Sequence, residues 1–305
     1  MRMFGSTRHV AAAVLCATAL TAAAQDASDG AAPEALRGTL RKANDSGTIT
    51  LGYRTASFPF SYLARDGVPI GYSIELCRDI VDDIAAAVDR TLSIRYEAVT
   101  SETRIPALTS GRIDLECGST TANTERRKSV AFSPIMFVSG TKLMVRRDSK
   151  VRGLGDLRGR KVAVTAGTTN EAELTRLSKR MSLDLQLVTG RDHDESFGLL
   201  ASGQVDAFAT DDILLYGLLA RKRAQDRFMV VGDYLSYDPY AIMYRRDDAQ
   251  LARVVEGTFR RLAESRALAD VYVRWFERRL PDGELMKVPM SPQLREIFAT
   301  LGLSD

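Results

Sequence analysis

The stretch Cys117-Gly118-Ser119-Thr120-Thr121-Ala122-Asn123-Thr124-Glu125-Arg126-Arg127 sets three consecutive hydroxyl side chains close to an arginine. Ile113-Asp114-Leu115 before it reads as a short buried strand, and Asn123 or Thr124 can cap a short helix carrying Arg126. Hydroxyls and free backbone N–H groups at a strand end can grip a carboxylate, and a guanidinium one helical turn on can fork onto it. Ser/Thr clusters are commonly plain turns and arginines commonly solvated. The stretch gains meaning from matching pieces elsewhere. Arg54 follows an apolar strand, Ser101 and Arg104 open a helix, Thr168-Thr169 sit in a tight loop, and Asp211-Asp212 end another strand. His193, one of two histidines, stands between Asp192 and Asp194, as a ligand contact or as an exposed loop residue.

The elements that must position these residues alternate. A short helix over 35–42 leads to a strand over 48–52, then an aromatic loop, Phe58-Pro59-Phe60-Ser61-Tyr62. Ile74, Cys77, Ile80, Val81, Ile84 and Val88 recur at helical spacing, which predicts an amphipathic helix over 74–89. A strand over 92–99 follows, then a helix capped by Ser101, with Arg104 in its first turn and Gly111 past its end. The second half repeats the theme, with strands over 160–165, 183–188 and 205–209 and helices over 170–179, 196–202 and 213–220. Extended segments over 140–146 and 240–245 flank this block, and helices over 249–264 and 267–279 close the chain. The pattern is α/β in two similar blocks, with polar residues where strands end, the place where open α/β sheets bind ligands.

A chain of 305 residues can hold two domains. Arg2 and Arg8, an apolar run over 10–21 and Ala22-Ala23-Ala24 form the layout of a cleavable secretory signal over 1–24. Leu15 before Cys16 is too large for a lipoprotein cleavage site. Removing this segment takes away two arginines and no acid, leaving 40 basic against 39 acidic side chains. That balance argues against nucleic acid held by bulk charge. Of the remaining cysteines, Cys77 and Cys117 form either a disulfide in an oxidising compartment or two small buried hydrophobes. No metal-spaced His/Cys set is present, and no Ser/His/Asp triad is arguable.

Several segments carry a resemblance. Arg65-Asp66-Gly67-Val68-Pro69-Ile70-Gly71-Tyr72-Ser73-Ile74-Glu75-Leu76 and the run 157–169, ending Gly167-Thr168-Thr169, resemble periplasmic amino-acid-binding proteins of ABC importers, solute-binding family three. Gly52-Tyr53-Arg54, Ser101-Glu102-Thr103-Arg104, Glu116 to Thr121, Asp192 to Phe197 and Asp211-Asp212 resemble its glutamate/aspartate-binding branch; Thr55-Ala56 and Glu102-Thr103 depart from the branch pattern without removing a candidate contact. The resemblance implies a two-lobed periplasmic-binding-protein-like fold of type II with the ligand in the interlobe cleft. Lobe 1 would be 45–138 plus 243–305, lobe 2 145–236, and the hinge strands near 138–146 and 236–244, after a flexible leader and short helix over 25–44. It implies a periplasmic monomer that takes L-glutamate or L-aspartate to a membrane permease, without cofactor or nucleic acid.

By the same resemblance Arg126, Thr121 and Thr169 would hold the ligand α-carboxylate, and Asp211 and Ser119 the α-ammonium, with Asp212 left as a helix cap. Arg54, Ser101, Arg104 and His193 would select the side chain. Two arginines in one partly dry cleft repel unless an anion offsets them, and a side-chain carboxylate does so; a charged His193 would add to that attraction. Phe58 and Tyr72 would be apolar cleft walls, the protein core being the other place for either. The rivals are a cyclohexadienyl or arogenate dehydratase on the same fold, needing a general acid or base among Glu75, Glu102 and His193, and a sensory receptor subunit.

Overall fold

The computed structural model describes residues 34–302. The expected signal segment, and the leader as far as residue 33, lie outside the described residues. The chain opens with α1 (Gly38–Ser46) and β1 (Thr48–Tyr53). A small antiparallel sheet follows, made of β2 (Ala56–Ser57), β3 (Ser61–Leu63) and β4 (Pro69–Ile70). Next come α2 (Tyr72–Ala87), β5 (Ser93–Ala98), α3 (Arg104–Thr109), β6 (Leu115–Cys117) and β7 (Val130–Phe132). Then β8 (Phe137–Ser139) leads to β9 (Thr141–Arg146), β10 (Lys161–Thr165), α4 (Thr169–Arg180), β11 (Gln186–Gly190), α5 (His193–Ala201), β12 (Ala207–Asp211), α6 (Asp212–Lys222) and β13 (Phe228–Val231). Strands β14 (Asp238–Tyr240) and β15 (Met243–Arg245) precede α7 (Ala249–Glu264), α8 (Ala267–Tyr272) and α9 (Pro292–Leu301).

These strands build two five-stranded sheets, in the orders β5-β1-β6-β15-β7 and β11-β10-β12-β9-β13. In each, three neighbouring strands are parallel and a fourth, β15 or β9, runs antiparallel between them and the edge strand, β7 or β13, which runs in the direction of the first three. Parallel strands are covered by helices on both faces, so they read as apolar runs such as Val162-Ala163-Val164, all fully buried. The first sheet packs on α2 and α7 through Ile49, Leu51, Ile80, Val255 and Phe259. The second packs Val162, Val164 and Leu174 on one face and Phe208, Leu200 and Leu215 on the other. The chain passes between the sheets twice, and the two passages pair as the antiparallel ribbon β8·β14. The segment expected as the first hinge, 138–146, therefore divides: β8 crosses, while β9 already belongs to the second sheet.

Helix α1 starts three residues later than expected and is tied to the fold. The Thr39 hydroxyl donates to Asp248, and Lys42 Nζ lies 2.8 Å from Asp114. Asp114 is fully buried and also accepts from the Thr50 amide at 2.9 Å and from Arg245 at 3.1 Å. A buried carboxylate held by two cations and an amide fixes the approach to β6, the strand that leads to Ser119. Cys77 on α2 and Cys117 at the end of β6 form a disulfide, which resolves the cysteine alternative. The expected strand over 183–188 begins later, at Gln186. Leu183 is buried from the turn before it, where Asp184 has φ 49°, so its apolar character reports core packing and not strand.

Candidate ligand-binding site

Strand ends of both sheets converge on one enclosed polar pocket. Arg54 directly follows β1, Ser101 and Arg104 follow β5, and Ser119 and Thr121 follow β6. From the second sheet, Thr168 and Thr169 follow β10, His193 follows β11, and Asp211 ends β12. Asn170 and Leu214 complete the lining. The two sheets come close here because Gly167 (φ 70°) has no side chain. A Cβ there would lie 2.9 to 3.0 Å from atoms of Glu102, on the first sheet's side.

The arginines are the unusual members. Both are 2% exposed. Both terminal nitrogens of Arg54, Nε of Arg104, and the hydroxyls of Ser101 and Ser119 are buried without a hydrogen-bond partner among the described residues. Such groups are costly unless a ligand meets them. Burial, followed by the charge of Arg104, lowers the Arg54 guanidinium to about 10, and burial likewise lowers Arg104. Arg104 Nη1 donates to Thr120 Oγ1 at 2.6 Å, and Thr120 Oγ1 donates to Glu116 Oε2 at 2.6 Å.

Burial, then Arg54 and Arg104, hold the His193 imidazolium far below its usual range. The ring is therefore neutral at neutral pH, which corrects the expectation of a charged His193. It is 2% exposed and is the first residue of α5, not part of an exposed loop. Its Nδ1 lies 3.0 Å from Thr165 Oγ1. When that hydroxyl donates to Nδ1, Nε2 carries the hydrogen and is the donor available to an anion.

Asp211 receives Asn170 Nδ2 at 2.7 Å and the Tyr240 hydroxyl. Burial and the nearby Asp238 push its carboxyl up to about 8. The Thr121 and Thr169 hydroxyls, one from each side of the pocket, lie 3.3 Å apart, and each donates to Asp238 Oδ1 at 3.1 Å. Asp238, at the start of crossing strand β14, thus sets both threonine rotamers.

Other placements differ from expectation. Ser101 does not cap α3: the helix begins after Thr103, whose amide donates to Thr100 Oγ1 at 3.2 Å, and the Ser101 hydroxyl faces the pocket. Asn123 accepts from the Arg126 amide at 2.9 Å ahead of the 3-10 turn Arg126–Lys128, whose N-cap residue is Glu125 with no side-chain cap bond. Arg126 stands at the rim, not in the lining. Its Nη1 donates to the Thr121 carbonyl at 2.8 Å, and its Nη2 lies 3.5 Å from the Gly167 carbonyl across the cleft. Asp212 serves the start of α6, accepting from the Ile213 amide at 2.8 Å and from Ser139 at 2.6 Å.

Tyr72 is core, not a cleft wall: its ring packs on Phe60, Tyr272 and Phe276, and its hydroxyl donates to the Met136 carbonyl. Phe58 does not line this pocket; its ring is tilted 60° against Tyr62, lies under the Arg221 guanidinium, and bounds a neighbouring small cavity with Leu214 and Leu218 of α6. The apolar wall is Leu214, unmarked in the sequence because it continues the apolar run of α6. Thr120, one of the three consecutive hydroxyls, turns away to bridge Arg104 and Glu116. Glu116, Asn170 and Asp238 had no role in the sequence reading, because a strand residue at β6 or a helix residue at α4 carries no spacing signal of its own.

Two α/β lobes around a small pocket of buried cationic and hydroxyl groups, several of whose atoms lack a partner among the described residues, suit a binding protein for a small charged solute. The chain belongs to the bacterial extracellular solute-binding proteins, family 3, whose sequence pattern matches residues 49–278. It is 40% identical over 268 residues to the L-glutamate/L-aspartate-binding protein of Pseudomonas aeruginosa, covering 87% of this chain and 89% of that protein. It is 35% identical over 293 residues to the glutamate/aspartate import solute-binding protein of Escherichia coli, covering 95% and 96% of the two. Among solved structures, an ancestral arginine-binding protein bound to arginine matches with TM-score 0.69 and 26% identity, over 75% of this chain and 98% of that one. An ancestral amino-acid-binding protein described as a precursor of cyclohexadienyl dehydratase matches with TM-score 0.67 and 26% identity, over 78% and 99%. Among the described residues no helix is long and apolar enough to cross a membrane.

Proposed function

We propose that this chain captures L-glutamate or L-aspartate in the periplasm and delivers it, as a monomer, to the membrane permease of an ABC importer. The observation that carries this reading is the set of buried, partnerless nitrogens on Arg54 and Arg104. A ligand with a side-chain carboxylate offsets their charge and fills their hydrogen-bonding capacity, whereas a neutral side chain leaves them unsatisfied. Ser101 and neutral His193 add two uncharged donors to that carboxylate. The α-ammonium goes to Asp211, oriented by Asn170, with Ser119 beside it. The α-carboxylate goes to the N-terminus of α4 beside Thr121 and Thr169, where the first-turn amides and the helix dipole favour an anion and the two hydroxyls turn from Asp238 to donate to it, and Arg126 adds positive charge from the rim. Leu214 packs on the ligand methylenes.

Lobe 1 is 45–138 with the segment from 243 onward, and lobe 2 is 145–236; they close about the paired crossings β8 and β14. The protein binds without turnover. Of the three candidate acid–base groups, Glu75 is engaged by Trp275 Nε1 at 2.6 Å and Arg274 at 3.0 Å outside the pocket lining, and Glu102 is exposed. His193 serves as a fixed donor. The test is calorimetric titration with glutamate, aspartate, glutamine and arginine, alongside incubation with prephenate and arogenate. Tight binding of an acidic amino acid with no aromatic product is expected. Preference for arginine or glutamine, or product formation, would overturn the reading.

A further inference from the structure

Glu116 is a fully buried carboxylate directly behind the two pocket arginines, yet it does not line the pocket. One oxygen, Oε2, accepts from Thr120, whose hydroxyl in turn accepts from Arg104, both at 2.6 Å. The other, Oε1, has no hydrogen-bond partner among the described residues. It fills the space where Gly118 lacks a side chain: a Cβ on Gly118 would collide with Oε1 on one side and lie 2.8 Å from Arg54 Cγ on the other. Gly118 thus leaves room for both the Glu116 carboxylate and the Arg54 stem. The result is one fixed anion serving two arginines, reaching Arg104 through a hydroxyl and Arg54 through space.

We propose that Glu116 is a specificity-setting positioning residue. Its carboxylate cancels one of the two arginine charges and holds Arg104 in place through Thr120, so that the pocket presents one uncompensated positive charge to the ligand side chain. This rests on the reading of the pocket as a site for an acidic amino acid. A net charge of +1 matches a singly ionised side-chain carboxylate. It also limits the repulsion that two bare guanidinium groups would exert in the open, empty cleft.

Glu116→Gln tests the idea, because the amide oxygen still accepts from Thr120 while the charge is gone. Without the anion the pocket favours a charged over a neutral side chain more strongly. The ratio of glutamate to glutamine affinity at low ionic strength is expected to rise by about tenfold or more over the parent. A ratio changed by less than about threefold, or reduced, would overturn the proposal. A second measurement needs no ligand: thermal midpoints of E116Q, R104Q and the double variant. Paired charges make the double variant's loss clearly smaller than the sum of the single losses; additive losses would overturn the proposal. Should E116Q not fold, recovery of folded protein in the charge-balanced double variant supports it, and failure to recover overturns it. If the parent binds neither amino acid, the proposed function fails while this cycle still reports on the pairing of Glu116 with Arg104.

Discussion

Asp211 carries a pH signature that a purely structural carboxylate would not. Its carboxyl is raised to about 8 by burial and by Asp238, against the hydrogen bonds from Tyr240 and Asn170 that favour the ionised form. An arriving ammonium requires the carboxylate, so binding below pH 8 expels a proton. Affinity for glutamate is expected to climb as pH rises from 6 to 8, by at most about tenfold per unit, and then level off. The ligand-free fold shows the opposite trend from this group. A folded pKa above the unfolded value contributes stability at low pH that is lost as pH rises through about 8. Titration in buffers of different ionisation heat measures the released proton; a flat affinity profile with no release would contradict the assignment. At this scale the strand-end residues Arg54, Ser119 and Asp211 were legible because a polar residue closing an apolar run is conspicuous, and Arg104 because a cation in the first turn of a helix opposes the helix dipole. Tyr72 was not: an aromatic after a glycine reads the same whether it faces a cleft or the core, and only the packing on Phe60 and Phe276 decides.

Among the elements, β6 and its attachments hold the most important geometry. It carries Glu116, ends at Cys117 and delivers Ser119 to Thr121, while the disulfide to α2 and the buried Asp114 cluster fix it from either side. The bridge spans 40 residues of sequence. Closing a loop of that length stabilises the fold by about 2–4 kcal/mol in the chain-entropy picture. Reduction is therefore expected to lower the thermal midpoint by several degrees and to weaken glutamate binding as well, since the tether adjoins the pocket. An unchanged midpoint after verified reduction would sink this account. Helical periodicity located α2 to within two residues and α7 without error. It failed where packing and hydrogen bonding part company. The expected helix 267–279 is α8 followed by a π-turn over Val273–Glu277, because burying Trp275 and Phe276 preserves the apolar rhythm while the backbone rewinds.

For the whole molecule, the alternation of strand and helix in two blocks sufficed to anticipate polar strand ends gathered between two sheets, which the paired crossings β8 and β14 connect. Invisible in the sequence was how the two halves share the site. Thr121 and Thr169 meet on Asp238, and Arg126 reaches from one side to the Gly167 carbonyl on the other. Such contacts join residues far apart in the chain, which no local pattern encodes. The central claim is that the buried arginine nitrogens left without a partner, on Arg54 and Arg104, choose the ligand's side chain. The most direct measurement is the ratio of glutamate to glutamine affinity in the parent and in Arg54→Gln. The parent is expected to prefer glutamate by about 100-fold or more, and R54Q to lose most of that preference while its glutamine affinity shifts by less than about threefold. A parent without preference, or an R54Q protein that keeps it, would contradict the account.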